Sequence, residues 1–188
     1  MKEKSSLRKA MRTLLGGVTA QQIAEASEQI CQHLRQSNEL LGEVDTVTTF
    51  SARMDEIDLS ALHQFLPEKK LLYPLCHRGG ILTFHHVPHP AELIPGMLGI
   101  LEPLPEQHPE VSVENIDLFL CPGLAFGIDG SRLGHGGGFY DRALARKKTT
   151  ARAVGIGLEL QILDSVPCDD HDIKVDHLIT KHGINKVP

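Results

Sequence analysis

Apolar positions recur at helical spacing from the start of the chain. Between Ser5 and Leu15, Leu7, Met11, Leu14 and Leu15 fall close to one face and basic residues take the other, which predicts an amphipathic helix ended by Gly16 and Gly17. Thr19, with Gln22 three positions on, forms a capping-box pattern and opens a second helix to about Arg35, with Ile23, Ile30 and Leu34 inward. The pattern then shortens. Val44 to Phe50, Leu71 to Leu75, Ile81 to Val87, Ile116 to Cys121, Ala153 to Leu158 and His177 to Thr180 are apolar runs of strand length, several of them rich in β-branched residues. Leu59 to Leu66 predicts a short helix, another begins near Phe139, and the proline-rich stretch from Pro88 to Pro109 predicts a long connection with short extended pieces. Helices alternating with apolar strands predict an α/β fold: a single domain over residues 1–188, with a largely parallel sheet flanked by helices.

Composition narrows the partners. The chain has 188 residues, with 19 Lys plus Arg against 24 Asp plus Glu and a formal net charge of −5, so it carries no general nucleic-acid signature. It has no Trp and only 4% aromatic residues, too few for the stacking platforms of single-strand binders. No stretch approaches the ~18 consecutive apolar residues of a membrane span. The basic N-terminal residues precede only Leu14 and Leu15, too short an apolar region for a secretory signal. A cytoplasmic protein acting on small molecules, without nucleic-acid or membrane partners and as a monomer or weak homo-oligomer, is the expectation. Cys31, Cys76, Cys121 and Cys168 form no C-x-x-C pair and are expected to be buried free thiols.

The most unusual stretch runs from Cys121 to Arg146, with glycine at 123, 127, 130, 134, 136, 137 and 138. A strand, a glycine-rich loop and a helix start offer unobstructed backbone N–H groups, so Gly134 to Gly138 suits a phosphate; a tight turn without a ligand would use the same glycines. It is neither a Walker A loop nor a Rossmann fingerprint. Arg132 offers a donor fork for phosphate oxygens. Asp141 stands where a carboxylate could hold Mg²⁺ beside them or simply cap the helix. Asp169, Asp170, Asp172 and Asp176 surround His171, as a cation site or a solvated acidic loop. Lys4 and Arg8 are four residues apart, able to reach one anion or to form a solvated basic face. His85, His86 and His89 have a spacing that could bind metal but lack an adjoining Cys or carboxylate. Cys121, at a strand end, is either a nucleophile or a small buried thiol.

The run CPGLAFGIDGSRLGHGGGFYDR from Cys121 to Arg142 resembles the signature of the 5-formyltetrahydrofolate cyclo-ligase (methenyltetrahydrofolate synthetase) family. The resemblance extends to KSSLR at Lys4 to Arg8, DEI at Asp55 to Ile57, GILEP at Gly99 to Pro103 and VGIGLELQILDSVPCDDHDIKVDHLIT at Val154 to Thr180. It implies an architecture similar to sugar-phosphate isomerases and CoA transferases, and an enzyme that uses ATP and Mg²⁺ to close a reduced folate, 5-formyltetrahydrofolate, into 5,10-methenyltetrahydrofolate. Carried over by matching positions, Lys4 and Arg8 would contact ATP phosphates, as would the loop of Arg132, Leu133, Gly134, His135, Gly136, Gly137 and Gly138 with Phe139 and Tyr140 after it. Arg132 and Asp141 would be catalytic, Asp141 and Asp172 magnesium-associated, and Glu56, Phe139 and Tyr140 would meet the folate. The chain departs from the family's usual pattern at Phe139, where Tyr is common, and at Gly127, where Asp is frequent. A nucleotide- or folate-binding regulator without turnover, a family relative acting on a different substrate, or a nucleotide-independent isomerase or transferase of the same architecture are the competing readings; the presence of Arg132, Asp141 and Asp172 favours the ligase over the regulator.

Overall fold

Alternation at period two along the strands gives one sheet a core on each face. In the computed structural model, which describes residues 2–188, Leu118 and Leu120 join a core with Val47, Leu71, Val154 and Ile156, whereas Phe119 and Cys121 join another with Leu72, Phe84, Ala153 and Leu178. Each fully buried leucine contributes about 1.5–3 kcal/mol of transfer free energy.

The helices are α1 (Lys2–Leu15), α2 (Ala20–Gln36), α3 (Asn38–Leu41), α4 (Leu62–Phe65) and α5 (Phe139–Leu144). The strands are β1 (Thr46–Thr48), β2 (Lys70–His77), β3 (Ile81–His86), β4 (Ile94–Pro95), β5 (Leu101–Glu102), β6 (Glu110–Val111), β7 (Leu118–Cys121), β8 (Ala125–Gly127), β9 (Arg132–Leu133), β10 (Arg152–Ile156), β11 (Ile162–Leu163), β12 (His177–Thr180) and β13 (Gly183–Lys186). Eight of them form the main sheet in the order β13, β12, β10, β7, β1, β2, β3, β6. Its middle, from β12 to β2, is parallel. The outer strands β13, β3 and β6 pair antiparallel, which gives the expected largely parallel sheet a mixed border. Strands β11, β8 and β9 make a small second sheet, and β4 with β5 a hairpin inside the proline-rich connection.

The chain leaves β1 toward β2 on one side and returns through β7 on the other, so strand order reverses between β1 and β7. Open parallel sheets bind ligands at such a reversal, beyond the carboxyl ends of the strands.

Helix α1 begins three residues before the expected Ser5, and its buried stripe keeps the expected Met11 and Leu15, with Leu7 packed against them, but drops Leu14 and takes in Lys4. Lys4, Met11 and Leu15 are buried while Leu14 is 49% exposed. At 100° per residue, Lys4, Met11 and Leu15 lie within about 40° of arc, and Leu14 falls roughly 80° from their centre. The capping box at Thr19 is present, with Gln22 closing it. Cys31, Cys76 and Cys121 are buried free thiols as expected, but Cys168 is exposed, because it lies in the irregular acidic segment before β12. Among the described residues, no helix is long and apolar enough to cross a membrane.

Candidate active site

A cavity of about 790 Å³ lies beyond the ends of β1 and β7, with Phe50 and Ser51 following the first strand and Pro122 following the second. The residues that the family resemblance assigns to the site all line it: Lys4 and Arg8 of α1, Glu56, the run from Arg132 to Asp141, and Asp172; Asp169 and His171 line it too, whereas Asp170, Asp176, His85, His86, His89 and Cys121 do not. Segments more than 100 residues apart meet here because α1 packs across the same sheet edge that the loops after β7 and before β12 surround.

The glycine loop does not follow the main-sheet strand directly. The β8–β9 hairpin intervenes, so Arg132 sits on a strand, 6% exposed, and its fork is aimed by sheet pairing. Gly136 and Gly138 have φ of 108° and 64°, values that strain any residue with a Cβ. Three contacts from other elements hold the loop. Arg8 Nε donates to the Gly134 carbonyl at 2.9 Å. Arg142 donates to the carbonyls of Gly80, at 2.9 Å, and of Gly137. His135 Nε2 lies 3.2 Å from Glu56 Oε1. Helix α5 has six residues, under two turns, so its dipole adds little and anion affinity rests on loop N–H groups and the cationic side chains.

Cations of the chain already face its carboxylates. Arg132 Nη2 donates to Asp141 Oδ1 at 2.8 Å, and the Ile173 backbone N–H reaches the same oxygen at 3.5 Å, which brings Asp141 and the Asp172 segment to one corner. Lys4, 7% exposed, bonds Asp169 Oδ2 at 2.7 Å and Asp172 Oδ2. The solvated-face alternative for Lys4 is therefore overturned. Burial works to raise the Asp172 carboxyl, but the Lys4 bond and the Asp169 N–H, at 2.7 Å, hold it below the ordinary range. The Arg132 guanidinium also lies over the Tyr140 ring, 5.5 Å from its centroid. Arg132 Nε and the Tyr140 hydroxyl are buried without partners among the described residues. Burial pushes that phenol well above its usual range, so it is a neutral donor awaiting an acceptor.

Mg²⁺ prefers hard oxygen ligands and keeps several waters. Asp141 and Asp172 fit that ion: their contacts in this structure fall on one oxygen each, Oδ1 of Asp141 and Oδ2 of Asp172. Asp169, His171 and Asp172 also bring ligand atoms within 4.8 Å of one another. The histidines of β3 do not converge on a cation: His85 uses Nδ1 on the His108 carbonyl at 2.9 Å and Nε2 on Thr83 at 3.0 Å, and His89 caps a 3-10 turn. Cys121 is fully buried and its thiol is pushed up to about 12 by burial, which settles it as a packing residue.

Sequence reasoning missed the apolar wall. Pro74 and Cys76 of β2, Leu82 of β3 and Ile100 of the hairpin also line the cavity. Behind them Glu102, 4% exposed, accepts from the N–H groups of Cys76 at 3.2 Å and Met97 at 2.9 Å, tying the hairpin to β2. The GILEP run was the available signal, since a carboxylate within an apolar segment needs buried donors. The departure at Gly127 is also accounted for: a Cβ there would lie 2.2 Å from Ser131 Oγ and 2.5 Å from Asp129 Oδ1, so those side chains occupy the space a larger residue would need.

Residues 1–181 match the family model of the 5-formyltetrahydrofolate cyclo-ligase family. The chain belongs to this family. A solved structure of Aquifex aeolicus 5,10-methenyltetrahydrofolate synthetase shares 32% identity and a TM-score of 0.85 with this family member, covering 98% of this chain and 92% of that one. The 5-formyltetrahydrofolate cyclo-ligase of Mycolicibacterium smegmatis is 36% identical over 96 residues, 50% of each protein. The mitochondrial enzyme of that name from Arabidopsis thaliana is 33% identical over 162 residues, covering 77% of this chain and 56% of the plant protein. The matched segments thus span about half the length of these two curated relatives.

Proposed function

We propose that this chain is an ATP- and Mg²⁺-dependent 5-formyltetrahydrofolate cyclo-ligase, converting that folate to 5,10-methenyltetrahydrofolate with release of ADP and phosphate. The supporting observation is convergence: one cavity of about 790 Å³ collects Lys4 and Arg8 of α1, Arg132, the glycine loop, Asp141, Asp172 and Glu56 together with an apolar wall. A nucleotide polyphosphate needs the first set, and a pterin with its aryl ring needs the second.

The chemistry must make a poor nucleophile react and a poor leaving group depart. In the proposed sequence the formyl oxygen attacks the γ-phosphorus of ATP and ADP leaves, giving an imidate-like phosphate. The neighbouring anilino nitrogen then attacks the formyl carbon, and the C–O bond breaks with loss of phosphate. No covalent enzyme intermediate is needed. The protein's part is positioning and charge neutralisation, the main levers of phosphoryl transfer. Arg132, Lys4 and Arg8 would bind phosphate oxygens, with Arg132 held on its strand against Tyr140. Glu56, fixed by the Arg53 N–H at 3.0 Å, would accept from the N–H donors of the pterin. Phe139 would close the apolar side. Mg²⁺ held by Asp141 and Asp172 would supply charge neutralisation at the β- and γ-phosphates. With four free cysteines, we place the protein in the reducing cytoplasm, acting on small molecules as a monomer or weak homo-oligomer.

Mixing the protein with Mg²⁺, ATP and 5-formyltetrahydrofolate tests the reading. Methenyl product, followed by near-ultraviolet absorbance, is expected to form in step with ADP and to vanish when ATP is omitted. No product from folded protein rejects the function, and product without ATP would point to an isomerase.

A further inference from the structure

Lys4 has an unusual place for a residue meant to meet phosphate. It is 7% exposed on the buried stripe of α1, and its ammonium is already spent on two carboxylates, Asp169 and Asp172. Arg132, 6% exposed, likewise sits on Asp141 at 2.8 Å. Arg8, one turn along α1 from Lys4, differs: its Nε bonds the Gly134 carbonyl, and among the described residues no carboxylate lies within ion-pair distance of it. So, of the three cations carried over to the phosphates, Arg8 is ready for an anion, while Lys4 and Arg132 have partners that include the proposed magnesium-associated aspartates; Arg12 and Arg53 also line the cavity, Arg53 at 3.9 Å from Asp55.

We propose that Lys4 is an exchangeable internal counter-ion: with the nucleotide site empty it neutralises Asp169 and Asp172, and it transfers to the polyphosphate when nucleotide arrives, so a divalent cation enters this corner only together with nucleotide. The inference rests on the cyclo-ligase reading for the identity of the anion.

Charge and space support it. Lys4, Asp169 and Asp172 together carry −1; a dication added to them would stand beside the Lys4 ammonium, and the like charges would repel. A polyphosphate changes that balance by giving the ammonium oxygens of its own. Lys4, Asp172 and the glycine loop line the same cavity, so the ammonium and a polyphosphate on that loop would share one space. The carboxylates meanwhile remain ionised and ordered, with the Asp169 N–H on Asp172 Oδ2 keeping the segment's turn closed. Nucleotide and divalent ion would therefore bind with positive coupling beyond their association in solution, and by linkage each would raise the other's affinity equally.

Mn²⁺ binding to nucleotide-free protein, read by electron paramagnetic resonance of the free ion, tests this without turnover. Wild type is expected to bind Mn²⁺ weakly. Lys4→Gln is expected to bind it on the order of tenfold more tightly, within the usual range of coupling between sites. Lys4→Arg, which keeps the charge, is expected to stay near wild type. Adding Asp172→Asn to Lys4→Gln should abolish the gain. Equal Mn²⁺ affinity in wild type and a folded Lys4→Gln, checked by circular dichroism, overturns the exchange, as does a gain that survives Asp172→Asn. The cyclo-ligase reading is judged separately by product formation in the wild-type protein, so the two can fail independently. Should Lys4→Gln not fold, Lys4→Met with the same Mn²⁺ readout replaces it.

Discussion

The two ends of the parallel sheet each hold partly buried carboxylates paired with cations, and they use them differently. At the amino end, Asp117 accepts through Oδ2 from the N–H groups of Asp45 and Thr46, both at 2.9 Å, and from the Thr46 hydroxyl at 2.8 Å, while Oδ1 takes the Lys148 ammonium. Both oxygens are occupied, and two of the four donors are backbone N–H groups that cannot move without unpicking β1 from β7. At the carboxyl end, Asp141 and Asp172 are contacted on one oxygen each, the cations are side chains, and Arg132 Nε and the Tyr140 hydroxyl have no acceptor. Saturated carboxylates bound to fixed donors stabilise a fold. Half-used carboxylates, with exchangeable partners and idle donors nearby, are what a site needs if ligands are to replace contacts already present.

The largest expected effect comes from breaking the carboxyl end at its strongest donor. Arg132→Ala should lower turnover by about 100- to 1000-fold, the usual consequence of removing a preorganised group from developing phosphate charge. Melting temperature should fall far less, since the ion pair with Asp141 borders an open cavity. Asp141→Ala is expected to follow the same pattern. Steady-state assays alongside thermal melts check both; near-normal turnover in either variant removes that residue from the phosphate role.

A smaller effect separates the two proposed ligands. Glu56→Gln keeps shape and one acceptor but loses the charge, and should raise the folate KM on the order of tenfold, about 1.4 kcal/mol, while the ATP KM changes little. If both constants rose together, Glu56 would be acting through His135 and the glycine loop, 3.2 Å away, and not on the pterin.

The same contrast explains what was legible beforehand. Strands with two buried faces announce themselves by continuous apolar runs, and β7 and β12 were found nearly to the residue. Strands β6, β8, β9, β11 and β13 carry no such run, because they are two to four residues long and owe their pairing to tertiary contacts and not to pattern. Helix α3 is too short for periodicity to show. The site residues came mostly from family resemblance; spacing alone left each of them with an ordinary alternative, such as a solvated face for Lys4. The burial of Lys4 was in principle visible, since it falls in line with Met11 and Leu15, but a lysine's strongly polar character points to a solvated face. The apolar wall was hidden for the opposite reason: Pro74, Cys76 and Leu82 look like core until a cavity is seen beside them.

The smallest effect on catalysis, and the sharpest check of the contrast, is expected at Asp117. Burial works to raise its carboxyl, but the Lys148 bond and the donors from Thr46 and Asp45 outweigh it and hold the carboxyl far below the usual range. A folded-state value below the unfolded one, about 3.9, means that stability is gained once the pH exceeds the unfolded value and is lost as the pH falls below about 4. Asp117→Asn should therefore cost about 1–2 kcal/mol at pH 7, the scale of losing charge-assisted hydrogen bonds at a site that is only partly buried. For a chain of this size that is roughly 2–8 °C in melting temperature. The gap between variant and wild type should narrow at pH 3, because there the wild-type carboxyl takes up a proton in the unfolded chain while staying ionised in the fold, which favours unfolding. Turnover at pH 7 and a temperature well below either melt should stay within about twofold, because no atom of the Asp117 network lines the cavity. Thermal melts at the two pH values with one rate measurement decide the matter. A gap that persisted at pH 3 would mean the cost came from packing and not from charge, and a large loss of turnover would show that the two ends of the sheet are mechanically coupled through β1 and β7, contrary to the division of labour their hydrogen bonds describe.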